Sequence, residues 1–482
     1  MDHRSIGTAS VVRQLGKWRE GRGAAYRQLA DALRLLILDG RIPLAARLPG
    51  ERDLAAALGL SRTTATAAFA TLRDEGYLES RQGSGSVTRV PGTQATRPSV
   101  EGARLDGDVI DLAIATVPAS GSVHRAYRRA LESLPSHLTG HGYEPFGLGH
   151  LRSIIAERYS RRGCPTTAGQ IMITNGAVNG FALILKLLTG PGDRVVIDHP
   201  SYPHAIDAIQ QASCRPVPVS LLDSGWDADA LEAAIRQTAP RLAFLIPEFH
   251  NPTGLCMDAS TRDRIAGVAA RTRTTLVVDE TLGDLWFDAP PPPSLAAFDH
   301  ADRVIALGST GKTFWGGLRI GWIRASEAVV EALTRVRPTV DLGTPVLEQM
   351  AAAILLSEAE VDLDQRRDEL RSRRNALAHM VAQHFPDWRV NFPEGGLSLW
   401  AEMPEPVGTR LAVAAEAYGL RIAPGARFGV EGAFARFVRI PFTLPEPELE
   451  KAVVRLAQAY QGARSIRRGG VRPAEMVPEQ VY

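Results

Sequence analysis

This sequence predicts two folded modules: a mainly helical N-terminal module carrying a β-hairpin wing, and a large α/β domain that ends in a smaller α+β part. Three observations lead there. In the first ninety residues, apolar side chains recur at helical spacing on both sides of a glycine-containing turn. From about 109 to 464, short apolar strands alternate with helical patterns, which argues for a parallel sheet covered by helices. Charge divides at the same place. Residues 1–90 hold 14 Arg plus Lys against 9 Asp plus Glu, a net of +5, whereas the remainder holds 41 against 44, a net of −3. Only the first module therefore has the electrostatics of a nucleic-acid surface.

Within that module, Leu29, Leu33, Leu36 and Ile37 place one helix between Tyr26 and Asp39. Arg47-Leu48-Pro49-Gly50-Glu51-Arg52 then gives a turn and a short helix, with Gly50 as N-cap. Gly59-Leu60-Ser61-Arg62-Thr63-Thr64 is a tight turn in which Ser61 caps a further helix. That helix buries Ala68, Phe69 and Leu72 and presents Arg62, Thr63, Thr64 and Thr66 at its start. A helix, a glycine turn and a second helix with a polar, basic first turn is helix-turn-helix geometry, where that turn meets base edges. Tyr77 to Val87 reads as a hairpin wing, and residues 91–108, rich in turn residues and without apolar periodicity, as a linker.

The larger module is punctuated by strand ends that carry polar residues. Ile171–Thr174 is a strand, and Asn175-Gly176-Ala177 opens an apolar helix running to about Leu188, so that its free N–H groups suit an anion. Arg194–Ile197 leads into Asp198-His199-Pro200-Ser201-Tyr202-Pro203, and Leu242–Ile246 into Asn251-Pro252-Thr253-Gly254. Thr275–Val278 ends in Asp279-Glu280, and Pro290–Pro293 forms a stiff loop. Val304–Leu307 precedes Gly308-Ser309-Thr310-Gly311-Lys312, with Arg319 shortly after.

Lysine is rare here. Besides Lys312 there are only Lys17, Lys186 and Lys451. Positive charge is otherwise carried by arginine, which stays protonated and cannot form an imine, so a lysine among small residues after a buried strand suggests amine chemistry.

The run from Gly308 to Trp322 resembles the lysine motif of fold-type I pyridoxal 5′-phosphate (PLP) proteins, the aspartate aminotransferase superfamily. The resemblance implies that Lys312 forms the Schiff base with PLP. It implies that Ser309, Arg319 and the helix start at Gly176 and Ala177 hold the phosphate, that Tyr202 stacks on the ring, and that Asn251 bonds the phenolic oxygen. Asp279 would pair with the pyridine nitrogen and keep the ring an electron sink. Tyr143 matches a tyrosine that reaches the neighbouring subunit's phosphate, which implies a homodimer. Arg439, in Phe437-Val438-Arg439-Ile440-Pro441, matches the arginine that grips a ligand carboxylate, a task suited to a guanidinium fork. Two departures bear on turnover. Gly311 stands where many members have a second serine, and Thr281 and Leu282 stand where many have a tyrosine.

The N-terminal module resembles the winged helix of GntR-type regulators through Leu48-Pro49-Gly50-Glu51-Arg52, Leu58-Gly59-Leu60-Ser61-Arg62 and Arg81-Gln82-Gly83-Ser84-Gly85. The resemblance implies that Arg52, Ser61, Arg62, Thr63 and Thr64 meet DNA, with Gln82 and Gly83 in the minor groove. In this order the two modules resemble the MocR subfamily, implying a regulator that binds promoter DNA and senses an amino compound or PLP. The competing expectation is an aminotransferase with an appended DNA-binding module. The domain expectations are 1–90 for the winged helix, 91–108 for the linker, 109–464 for the PLP domain and 465–482 for a basic tail. No signal peptide or bilayer-length apolar run is found, and the three cysteines, Cys164, Cys214 and Cys256, lack metal-ligand spacing, so a cytoplasmic protein without metal or membrane partner is expected.

Overall fold

A computed structural model describes residues 6–16, 18–19, 24–38, 42, 46–81, 85–89, 109–430 and 432–465. The predicted linker, Gln82 and Gly83 of the wing, and all of the predicted tail except Ser465 lie outside the described residues. Ser465 itself ends the helix Glu446–Ser465.

In the N-terminal module the helices Ala25–Leu38, Glu51–Leu58 and Arg62–Asp74 surround a small apolar core that includes Leu29, Leu33, Ile37, Phe69 and Leu72. The helix Glu51–Leu58 stops where Gly59 takes the left-handed region at φ 64°, and Ser61 starts the next by accepting the Thr64 N–H at 3.1 Å. Glu51 clamps the two helices, accepting from Thr66 at 2.8 Å and from Arg73 at 3.1 Å. The wing is the antiparallel pair Leu78–Arg81 and Gly85–Thr88, and residues 46–48 add a third rung through Leu48 N–H to Ser86 O and Thr88 N–H to Ala46 O, both 3.0 Å.

The large domain is built on a seven-stranded sheet in the spatial order Ile171–Thr174, Gly321–Arg324, Val304–Ser309, Thr275–Asp279, Leu242–Leu245, Arg194–His199, Arg215–Ser220. The expected parallel sheet needs one correction, because Gly321–Arg324 runs antiparallel to both neighbours. The physical reason is the short return after Ser309: residues 310–320 contain only a turn and the 3₁₀ segment Gly316–Leu318, too little chain for a crossover, so the strand folds back beside its predecessor. Its Trp322 lies across Gly308, where an added Cβ would stand 2.1 Å from the indole, which is why that strand position carries no side chain.

A second, five-stranded sheet orders Arg389–Val390, Ser398–Glu402, Phe437–Pro441, Leu420–Pro424 and Ile110–Leu112. The last of these pairs parallel to Leu420–Pro424, so the first residues after the linker belong to the C-terminal subdomain. From there the chain crosses to the large domain, where it enters the helix Gly121–Ser133, and the crossing residues touch the site described next.

Candidate cofactor site and DNA-facing helix

A cavity of about 380 Å³ opens at the carboxyl ends of the large sheet's parallel strands, the place where α/β sheets bind ligands. Gly176, Ala177, Tyr202, Asn251, Asp279, Ser309, Lys312 and Arg319 all line it. Residues from five separate segments are thereby brought together.

At one end lies an anion cradle. The helix Ala177–Leu188 begins at Gly176, whose φ of 88° and ψ of 165° belong to a region that side-chain-bearing residues avoid. An added Cβ there would stand 2.8 Å from the guanidinium of Arg319. Arg319 is itself in the left-handed region, φ 53°, and its Nη2 donates to Asn175 O at 2.9 Å. Ser309 accepts the Gly311 N–H at 3.0 Å and donates to Ile320 O at 3.1 Å, so its hydroxyl braces the loop that carries Lys312.

Across the cavity, Lys312 Nζ donates to Ala115 O at 2.9 Å. Asp279 is buried at the end of its strand and accepts the Thr281 N–H at 3.0 Å. Burial pushes its carboxyl above the usual range, against the opposing pull of its Thr281 hydrogen bonds and the Lys312 charge. Thr281 thus holds the carboxylate from one of the two positions where many members of the superfamily have a tyrosine, and buried Leu282 completes the wall beside it. Tyr202 caps the entry of the helix Pro203–Gln211 and meets His204 edge-on, ring centroids 5.2 Å apart.

Beneath the site sits a buried polar layer that sequence reasoning did not find. Asp198 accepts Ile246 N–H at 2.8 Å and Trp226 Nε1–H at 2.9 Å, and burial pushes it up to about 7. Neighbouring His250, fully buried with Nδ1 against Thr253 Oγ1 at 2.9 Å, is pushed down to about 3 by burial. Through Asp198 the layer holds the Ile246 backbone in place. The crossing residues Ile114, Ala115 and Thr116 also line the cavity, and three unremarkable positions after a linker gave no sequence signal of it.

Arg439 and Tyr143 lie apart from the lining. Arg439 is buried, donates to Asn251 Oδ1 at 3.3 Å and to Ala113 O, and stacks its guanidinium 5.1 Å from the Phe428 ring centre. Tyr143 is 56% exposed on the surface of the single chain. On the N-terminal module, Arg52, Arg62 and Thr63 are exposed and Thr64 half-exposed, while exposed Ser61 bonds both threonine hydroxyls at 2.8 Å. The first turn of that helix is therefore held rigid with Arg62 pointing out of a fixed frame.

Two family patterns match the chain: aminotransferase class I and II over residues 108–456, and the gntR family of bacterial regulatory proteins over residues 25–87. The chain belongs to the MocR type of GntR regulators. Among relatives of this MocR-type chain are two uncharacterized HTH-type transcriptional regulators. YisV of Bacillus subtilis is 28% identical over 80% of this chain and 86% of its own length. YdcR of Escherichia coli is 27% identical over 89% of this chain and 97% of its own. Among solved structures, LysN from Thermus thermophilus, an α-aminoadipate aminotransferase complexed with N-(5′-phosphopyridoxyl)-L-leucine, is 26% identical with a TM-score of 0.68, covering 74% of this chain and 93% of that one.

The cofactor of this domain is PLP. The cavity fits it: one lining offers an anion cradle at the glycine start of a helix, a buried carboxylate, a side-chain amide and a primary amine. Among the described residues no helix is long and apolar enough to cross a membrane, and no cluster could hold a metal ion.

Proposed function

We propose that this protein is a PLP-dependent transcription regulator, acting as a cytoplasmic homodimer that binds operator DNA and senses an amino compound or PLP itself. The observation that carries the reading is the presence in one chain of a capped, outward-facing recognition turn at Arg62 and a lysine-bearing cofactor cavity at Lys312.

In this reading Lys312 holds PLP as a Schiff base, Asp279 faces the pyridine nitrogen, Asn251 the phenolic oxygen and Tyr202 the ring. Gly176, Ala177, Ser309 and Arg319 take the phosphate, with Tyr143 reaching the neighbouring subunit's. Bound there, the cofactor would supply an electrophilic carbon that exchanges the Lys312 amine reversibly for other primary amines. Assigning Arg439 to an effector carboxylate carries a requirement: its donors to Ala113 O and Asn251 Oδ1 must be exchanged for the ligand. That exchange would release the residues that directly follow the linker, giving the effector a differential hold on the DNA-binding arms. Thr281 supports sensing over turnover, since its hydrogen bonds go to Asp279.

The test is operator affinity of the PLP-loaded protein with and without candidate amino acids, run beside steady-state transamination with a keto-acid acceptor. A regulator should show a shift of about 5–150-fold in operator affinity, the usual range of allosteric coupling. Rapid transamination with operator affinity indifferent to every substrate would replace this reading with the aminotransferase.

A further inference from the structure

Behind the cofactor site lies a second cavity, about 500 Å³ against about 380 Å³ for the first. Thr281 and Ser309 line both, so the two are separated by the strand ends that carry Asp279 and Ser309. The roof of the second cavity is the Pro290–Pro293 loop, which the sequence singled out and the cofactor site does not use. Its walls are aromatic: Tyr159, Trp286 and Trp322.

The floor is acidic and incompletely neutralised. Glu248 is buried, 3% exposed, and its Oε1 receives Arg262 Nη1 at 2.5 Å, while its Oε2 has no hydrogen-bond partner. Arg262 also donates to Met257 O and to Pro293 O at 2.9 Å each, so tying down the proline roof, and its buried Nη2 has no hydrogen-bond partner among the described residues. Glu280, half-buried beside it, accepts from Tyr159 Oη at 3.1 Å and Ser294 Oγ at 2.5 Å and has no ion-pair partner among the described residues. The arginines at the mouth are answered locally. Asp284 takes both Arg158, at 3.2 Å, and Arg162, and Glu157 lies 3.7 Å from Arg161. Arg262 is thus the ion-pair partner of Glu248, while Glu280 feels Arg262 and Arg324 only at longer range. Burial pushes both Glu248 and Glu280 above the usual carboxylate range, against the opposing pull of Arg262 at each and of Arg324 at Glu280.

We propose that this cavity is a second ligand site, for a small organic amine with a compact apolar or aromatic body, its ammonium seated between Glu280 and the unpartnered oxygen of Glu248. The cation would supply the missing charge and donate to the open lone pairs, while the body packs against indole and proline surfaces. Because the site shares Thr281 and Ser309 with the cofactor cavity, its occupant would bear on the same loop that carries Lys312.

The proposal stands apart from the assignment of PLP to Lys312, and its probe is chosen accordingly. N,N-dimethyl-4-bromobenzylamine is a tertiary amine that cannot condense with an aldehyde. Titrated into the full PLP-loaded chain, it should bind with a calorimetric signal and a change in tryptophan emission, and 4-bromobenzoate should not. Glu280→Gln and Glu248→Gln should each weaken the amine by about tenfold or more, the usual worth of a charge-assisted hydrogen bond, with the cofactor's visible spectrum unchanged. Should either variant fold poorly, the native protein decides by crystal soaking, where the bromine anomalous peak is expected between Trp286 and the proline roof. Equal binding of the benzoate, a peak in the cofactor cavity, or no binding at millimolar amine would each overturn the proposal.

Discussion

Gly176→Ala separates the cofactor cradle from general stability. The backbone at Gly176, φ 88° and ψ 165°, costs a residue with a Cβ about 1–3 kcal/mol. A second effect is specific to this site. The new methyl would stand 2.8 Å from Arg319 Nη2 and 3.3 Å from Cζ, too close for both to stay, so the guanidinium must leave its place beside Asn175 O. If Arg319 holds the phosphate, losing that charge-assisted hydrogen bond should weaken PLP by about 1.5–3 kcal/mol, or roughly 10–150-fold. Gly192→Ala supplies the control. Gly192 has the same φ of 88° but nothing within 4 Å of an added Cβ, so it carries conformational strain without crowding an arginine. Both variants should melt earlier by thermal unfolding of the apoprotein, and only Gly176→Ala should lose PLP affinity in a spectroscopic titration. Wild-type affinity in Gly176→Ala, or an equal loss in Gly192→Ala, would refute the assignment of Arg319 and the helix start to the phosphate.

Lys312→Ala should abolish the visible imine absorption, and borohydride reduction of the wild type followed by peptide mapping should label Lys312; a label on Lys186 or Lys451 would remove the basis of the site. Arg62→Ala should cost about 1–3 kcal/mol of operator binding if the side chain reads a guanine bidentately and less if it meets phosphate alone, measured on sites selected from random duplexes. The contribution of His250 to stability should fall as pH drops from about 6.5 towards 3, because burial keeps it neutral down to about 3 while the unfolded chain takes up that proton near the ordinary histidine value; neighbouring Asp198, pushed up to about 7, acts in the opposite sense, so the comparison with a variant isolates the histidine. His250→Gln removes the titrating group, so its melting temperature relative to the wild type should rise as pH falls across that window; an unchanged difference would mean that His250 is not the source.

The sequence by itself determined the two modules, the order of strands and helices around the site, and the polar residues that mark the cavity lining. These are local matters: helical spacing placed Leu29, Leu33 and Phe69 inside, Ser61 announced a helix start by its cap, and polar residues at the ends of apolar strands marked Asn251, Asp279 and Lys312. Tertiary structure alone decided what depends on residues far apart in the chain. The reversal of Gly321–Arg324 follows from the length of a return loop, and the place of Ile110–Leu112 in the C-terminal sheet from pairing across three hundred residues. Arg439 illustrates the division: its type was legible, but only folding set it behind Asn251 and against Ala113. The buried pairs Asp198 with His250 and Glu248 with Arg262 were likewise silent in the sequence. A titratable residue reads the same whether it ends in water or in the core, and only the packing around it fixes its charge.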